Sequence, residues 1–328
     1  MARAWHLMSR PEGLPTPDNF ELKAFELPKL EDGMVKVRNL WLSVDPYMRG
    51  RMNDAKSYIP PFALDAPMDG GALGEVVESK AKEFKKGDLV IHFSGWRDEA
   101  VVPAKALTKV PKLKVDPPAF LGVLGMPGAT AYFGLLDVAQ AKKGDIVFVS
   151  AAAGAVGSAV VQIAKAKGMT VIGSARGKAK CDFVRSLGAD QVFDYSTAPI
   201  FQSLREAAPD GIDVYFDNVG GSHLDAAFAR ARLHARFALC GMIGGYNSKE
   251  PAAFRYIIRM IAMRVRMQGF LYGDYISRLD EFYRDMGKWV ASGAVKSHET
   301  VVDGLDKMPD AFLGLFEGAN TGKMLVRV

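Results

Sequence analysis

The sequence predicts an α/β protein in which a small, mainly β N-terminal domain precedes a Rossmann-type domain, a doubly wound parallel sheet. Three observations carry this. Short β-like runs broken by turn residues fill the first third. From Asp145 an apolar strand, a turn and a helix repeat several times. The first of these junctions, "VSAAAGAVGSAVVQIAKAKG" (149–168), crowds Ala and Gly where a strand gives way to a helix.

Length and composition agree with two domains. At 328 residues the chain exceeds the usual size of one domain, and hydrophobic and charged shares of 49% and 24% are those of a globular protein, not a disordered one. The net charge of +5 is spread without a basic, aromatic-laced block, so no nucleic-acid partner is expected. Cys181 and Cys240 alone exclude a disulfide framework and point to a reducing, cytoplasmic compartment. The start, "MARAWHLMSRPEG", lacks the apolar core of a signal peptide. The uncharged stretch 117–136 has the length of a membrane span, but Pro117, Pro118, Pro127 and four glycines make it a buried crossing between domains instead.

Taken in order, "GMVKVRNLWLSV" after Asp32, "GALGEVVES" after Gly70 and "GDLVIHF" after Lys86 read as strands of the β domain, placed at residues 1–118. The second domain, 119–295, reads as "DIVFVS" and the quoted helix, "TVIGSA" and "KAKCDFVRSLGA", "QVFDY" and "FQSLREAA", "IDVYFDNV" and "SHLDAAFARA", then "ARFALCGMI" and the helical "LDEFYRDMGKWVASG". Residues 296–328 end in one more strand-like run, "GKMLVRV".

A dinucleotide fingerprint needs small residues for a tight turn, for close approach of a pyrophosphate and for helix-strand packing. Here they fall on Ala152, Gly154 and Gly157, with the amides of Ala155 and Val156 opening the helix. A helix start offers unsatisfied donors and a favourable dipole to an anion. The competing interpretation is a turn that only packs its helix. Where an NAD site would carry an acid, at the end of the next strand, the chain has "SARGKAK": Arg176, Lys178 and Lys180 favour the 2′-phosphate of NADP, the alternative being a solvated helix start. His6, His92, His223, His234 and His298 and the two cysteines form no ligand-spaced cluster, so no metal is expected.

"SVDPYMRGRM", "LGMPGATAYFGLL", "VSAAAGAVGS", "YFDNVGG", "MQGF" and "GANTGKMLVRV" together resemble the zinc-independent medium-chain dehydrogenases/reductases, in the branch of the leukotriene/prostaglandin reductases, bacterial curcumin reductases and plant alkenal reductases. The resemblance implies a GroES-like first domain to which the last segment returns. It also implies a homodimer and NADPH-dependent reduction of a double bond conjugated to a carbonyl. By position it assigns Lys180 and Tyr195 to the 2′-phosphate, and Asn218, Cys240, Tyr246 and Asn320 to the cofactor toward its nicotinamide end. Phe270 and Leu271 fall beside the carboxamide, and Tyr256 at the substrate site. Hydride addition to the β-carbon of an enone or enal places negative charge on the carbonyl oxygen, and Tyr47 is the candidate donor to it; a cofactor ribose hydroxyl would serve equally, leaving Tyr47 as pocket wall. Quinone reduction and non-catalytic NADPH binding are the rival functions.

Overall fold

In the computed structural model, which describes residues 1–111 and 115–328, the chain divides into two compact units: Met1–Leu121 with Glu299–Val328, and Gly122–His298. The first opens with β1 (Ala2–Leu7) and β2 (Phe20–Phe25), an antiparallel pair. β3 (Met34–Ser43) leads into a short helix, α1 (Met48–Arg51), and β4 (Ala72–Ser79), β5 (Leu89–His92), β6 (Glu99–Pro103) and β7 (Thr108–Lys109) follow. The second unit starts with α2 (Met126–Phe133) and then alternates β8 (Ile146–Val149), α3 (Ala155–Ala166), β9 (Thr170–Ala175), α4 (Lys178–Ser186), β10 (Gln191–Asp194) and α5 (Ile200–Ala207). It continues through β11 (Ile212–Asp217), α6 (Gly221–Arg230), β12 (Ala231–Leu239), α7 (Arg259–Met263), β13 (Arg266–Gly269) and α8 (Leu279–Ala291). β14 (Glu299–Asp303), α9 (Met308–Glu317) and β15 (Lys323–Arg327) complete the first unit.

The main sheet of the first unit has the order β14-β15-β3-β4-β5-β7, with β6 also on β3. Val35 and Val37 of β3 point inward at strand period and meet Val76, Val90, Ala100 and Val102 in one apolar cluster. Leu42, Met48, Met52, Phe62, Trp96, Phe312 and Met324 belong to a second. β15 adds to β3 antiparallel, bringing the last strand of the chain beside the tenth residue of β3. A buried ion pair fixes that junction: Lys323 Nζ donates to Val44 O at 2.7 Å and to Asp45 Oδ1 at 2.9 Å, and Ser43 Oγ donates to Asp45 Oδ2 at 2.5 Å.

The sheet of the second unit is parallel throughout, in the order β10-β9-β8-β11-β12-β13. Counted within the unit this is 3-2-1-4-5-6, the Rossmann order, and the fold class expected from the sequence is observed. Val160, Val161, Ile163 and Ala164 lie fully buried on α3, and Phe148, Ile172, Tyr215, Phe228 and Phe237 centre the core. One element differs from expectation. The strand expected from Ala235 starts at Ala231, because Ala231 already pairs with Ile212 of β11. The apolar run 256–270 forms α7 and β13, separated at Arg264, whose φ of +50° ends the helix. Among the described residues no helix is long and apolar enough to cross a membrane; the stretch 117–136 forms a short 3-10 turn, α2 and a wider final turn.

Two buried histidines make this fold sensitive to acid. His92 Nδ1 accepts from the Ser94 amide at 3.1 Å, which leaves the proton on Nε2 for Asn39 Oδ1 at 2.8 Å. Burial lowers its pKa from 6.5 to about 4, and does the same to His223. Below pH 6.5 the unfolded chain takes up protons that the folded one refuses until about 4, so stability is lost as pH falls through that window, by up to ~3 kcal/mol per histidine. Unfolding free energy measured from pH 7 to 4 should show this loss, and His92→Gln should make it shallower; an unchanged slope in the variant would mean that His92 is charged in the folded state.

Candidate active site

The carboxyl ends of a parallel sheet, at the point where strand order reverses, are where ligands of this architecture bind. Here that point lies between β8 and β11. The chain leaves β8 through a turn at 150–154, and Gly154 is the N-cap of α3 without any side-chain cap, so the amides of Ala155, Val156 and Gly157 open the helix unsatisfied. The glycines divide the labour. A Cβ on Gly157 would stand 2.3 Å from Ala151 O and 2.9 Å from Ala152 Cα, so this glycine serves packing. A Cβ on Gly154 would meet only Ala151 O, at 3.3 Å, and otherwise project into open space. The left-handed residue of the turn is Ala151, at φ +47°, one position before the fully buried Ala152.

Each of the other strands contributes at the same edge. Arg176 follows β9, Lys180 lies on α4, and Tyr195 follows β10 with its amide on Ala175 O at 3.2 Å; the Arg176 guanidinium stands 5.8 Å over the Tyr195 ring. Burial and the Arg176 charge both lower the pKa of Lys180. Among the described residues no ion pair within 4.0 Å involves either cation, although the Arg176 charge helps to lower the pKa of Asp194; Arg176 and Lys180 repel each other, which a bound anion would relieve. Lys178 does not belong to it: this side chain is 88% exposed and reaches Asp182 one turn along α4, at 2.5 Å.

After β11, Asn218 donates from Nδ2 to Ser150 O at 2.8 Å and from its amide to Ser150 Oγ at 2.9 Å. Asp217 organises this corner, a role the sequence did not signal beyond the quoted "YFDNVGG". Its Oδ1 accepts from Tyr215 Oη at 2.7 Å and from the amides of Val219 and Gly220 at 2.9 and 2.7 Å. Burial nevertheless raises its pKa. Cys240 follows β12 with its amide on Asp217 O, and burial, then Asp217, push its thiol up to about 12, so it stays protonated and unreactive. Tyr246 Oη accepts from the Met242 amide at 3.3 Å. Phe270 and Leu271 follow β13, the Phe270 ring edge-on to Phe216 and the Leu271 amide on Asp274 Oδ2 at 3.2 Å. Tyr256 stands elsewhere in the unit, in the helix layer: its ring stacks on Phe201 of α5 at 5.2 Å and its amide donates to Asp225 of α6.

The first unit holds Asn320, in the α9–β15 turn with Nδ2 on Gly322 O at 2.8 Å, and Tyr47. Tyr47 caps α1 two residues after Asp45, and its ring stacks on Phe93 at 6.4 Å. Among the described residues its buried Oη has no hydrogen-bond partner. Burial, and then the Asp45 charge, hold the phenol far above its usual pKa, so it remains a donor at any ordinary pH. The loop bearing Phe93 is pinned by Asn39 Nδ2, which donates to Ser94 O and Arg97 O at 3.1 and 2.9 Å. Trp96 Nε1 points to Met48 Sδ at 3.3 Å.

Comparison with known proteins bears on both units. Residues 3–110 match the family described as N-terminal domain of oxidoreductase, and residues 155–292 that described as zinc-binding dehydrogenase. The chain is 42% identical to the NADPH-dependent curcumin reductase of Escherichia coli, over 99% of this chain and 96% of that protein. It is 41% identical to a tobacco 2-alkenal reductase (NADP(+)-dependent), over 96% and 94%. The crystal structure of CurA from Vibrio vulnificus in complex with NADPH superposes with a TM-score of 0.94 at 43% identity, covering 99% of both chains. Despite the second family's description, the residues present do not fit a zinc site: among the described residues no three His, Cys, Asp or Glu are grouped to hold a metal ion.

The turn is testable without any ligand. Gly157→Ala should lower stability by about 1–3 kcal/mol through backbone overlap, whereas Gly154→Ala should unfold within a few degrees of the unmodified protein. Equal losses in chemical denaturation would show that both glycines serve packing alone.

Proposed function

The chain belongs to the medium-chain dehydrogenases/reductases, in the branch of the curcumin and 2-alkenal reductases, and from that premise we propose that it uses NADPH to reduce the carbon-carbon double bond of α,β-unsaturated ketones or aldehydes. It is an NADP-dependent oxidoreductase. The residues fit the cofactor: the open side of Gly154 and the bare start of α3 suit a pyrophosphate, and the mutually repelling Arg176 and Lys180 suit a 2′-phosphate, with Tyr195 beside them. Asn218, Cys240, Tyr246, Phe270, Leu271 and Asn320 are proposed to line the remainder. NADPH, when bound, supplies the hydride.

The observation that carries the chemistry is the buried, unpartnered hydroxyl of Tyr47. A donor left in that condition costs free energy unless a ligand oxygen receives it. We assign it to the substrate carbonyl. As the β-carbon gains hydride, the carbonyl oxygen becomes an enolate, and Tyr47 Oη strengthens its bond to that oxygen while keeping its own proton. The Phe93 stack and the Lys323–Asp45 pair fix where the hydroxyl lies. Tyr256 has a packing role in this account. A homodimer and a cytoplasmic location complete the reading. They are supported by the open edge of β13, by the exposed Ile258 and Ile261 near it in sequence, and by the two unpaired cysteines.

Tyr47→Phe should lower the single-turnover rate of hydride transfer to an enone by roughly tenfold or more and leave the NADPH dissociation constant within twofold, since one oxyanion donor is worth up to about 2.7–4 kcal/mol. An unchanged rate would make Tyr47 a pocket wall. Independently, Lys180→Ala should raise KM for NADPH by about 10-fold or more and that for NADH little, a charge-assisted bond being worth about 1.5–3 kcal/mol. Equal effects on both cofactors would remove Lys180 from the 2′-phosphate site.

A further inference from the structure

Beside Tyr47 stands a second buried donor that has no acceptor among the described residues, Nη1 of Arg51. The Arg51 side chain is only 7% exposed. Its other contacts are made: Nε donates to Pro60 O at 2.9 Å, Nη2 lies 3.6 Å from Asp69 Oδ2, and the guanidinium sits 4.0 Å over the Phe62 ring. Tyr47 and Arg51 are four residues apart across the single turn of α1, which puts both on one face. Both also meet the same ring, Phe93, Tyr47 by stacking and the guanidinium at 5.9 Å from its centroid. Two adjacent side chains thus each bury one unused donor against a shared aromatic wall.

The local charge says what kind of acceptor the second donor requires. Asp69 is shared, because Arg97 Nη2 also holds its Oδ1 at 3.1 Å, so two guanidinium groups face one carboxylate. Among the described residues the other acid whose charge acts on Tyr47, Asp45, is neutralised by Lys323. One positive charge remains in excess. A neutral enone would satisfy Tyr47 and leave Arg51 Nη1 dry and unpaired; an enone with a second, anionic oxygen would satisfy both.

We propose that Tyr47 and Arg51 form a two-donor seat for enones whose carbonyl carbon carries a carboxylate, the 2-oxo-3-enoate class, Tyr47 Oη taking the ketone oxygen and Arg51 Nη1 a carboxylate oxygen. This rests on the double-bond reduction proposed above and narrows its substrate. It makes Arg51 a specificity-determining residue.

The test compares benzylidenepyruvate with its methyl ester, which keeps the enone and removes the charge. In the unmodified protein kcat/KM should favour the acid. In Arg51→Met the acid-to-ester ratio should fall tenfold or more, with Arg51→Lys in between; a ratio is insensitive to the fraction of folded enzyme. Calorimetric binding of 2-oxo-4-phenylbutanoate, the reduced acid, should weaken by a similar factor. A ratio within twofold of the unmodified value in Arg51→Met, or a preference of the unmodified protein for the ester, overturns the seat while leaving enone reduction standing. Conversely, binding that depends on Arg51 without turnover of acid or ester upholds the seat and overturns the proposed reaction.

Discussion

The ion pair between Lys323 and Asp45 is the constraint on which the first unit is organised. Both side chains are nearly excluded from solvent, so each charge is tolerable only because of the other. The pair joins residues 278 positions apart, stitching β15 to the point where β3 ends. From there the consequences are local. Ser43 and Val44 are held by the same contacts, α1 begins at a set angle, Met48 meets Trp96, and the two unused donors of α1 share the Phe93 ring. A neutral apolar pair could fill the same volume, but it would not fix the direction of the turn through hydrogen bonds to both carboxylate oxygens.

A corresponding acid organises the second unit by other means. Among the described residues no cation reaches Asp217; backbone amides and two hydroxyls converge on it. Through Ser150 it couples the end of β8 to the end of β11, the two strands that flank the switch in strand order. The corner is therefore rigid without drawing on Arg176 or Lys180.

Much of the second unit was legible in the sequence because β8, β9 and β11 are short, largely apolar runs and α3, α4 and α6 each start at a glycine. β9 begins and ends where "TVIGSA" does. The first unit was less legible. β7 has two residues, β14 is half-exposed, and β1 alternates Ala, Arg, Ala, Trp, a pattern with little apolar content to mark a strand. At the candidate site, residues on strand ends could be placed because their position follows from the element. What could not be placed depended on long-range partners. Lys178 and Lys180 look alike in sequence, and only the pairing of Lys178 with Asp182 separates them. Arg51, quoted only within "SVDPYMRGRM", has no role that its spacing signals; Phe62, Pro60 and Asp69 close over it.

The first unit is assembled from two segments that flank the second in the chain. During synthesis at about 5–20 residues per second, Asp45 leaves the ribosome roughly 14–56 s before Lys323. For that interval β3 has an open edge where β15 will lie, and the carboxylate lacks the cation that makes its burial tolerable. The inserted Rossmann unit, by contrast, is continuous and can complete its sheet as it emerges. Vectorial synthesis thus favours an order: the Rossmann unit, continuous in the chain, can mature first, and the turn that carries Tyr47 gains its Lys323 contact only when β15 arrives.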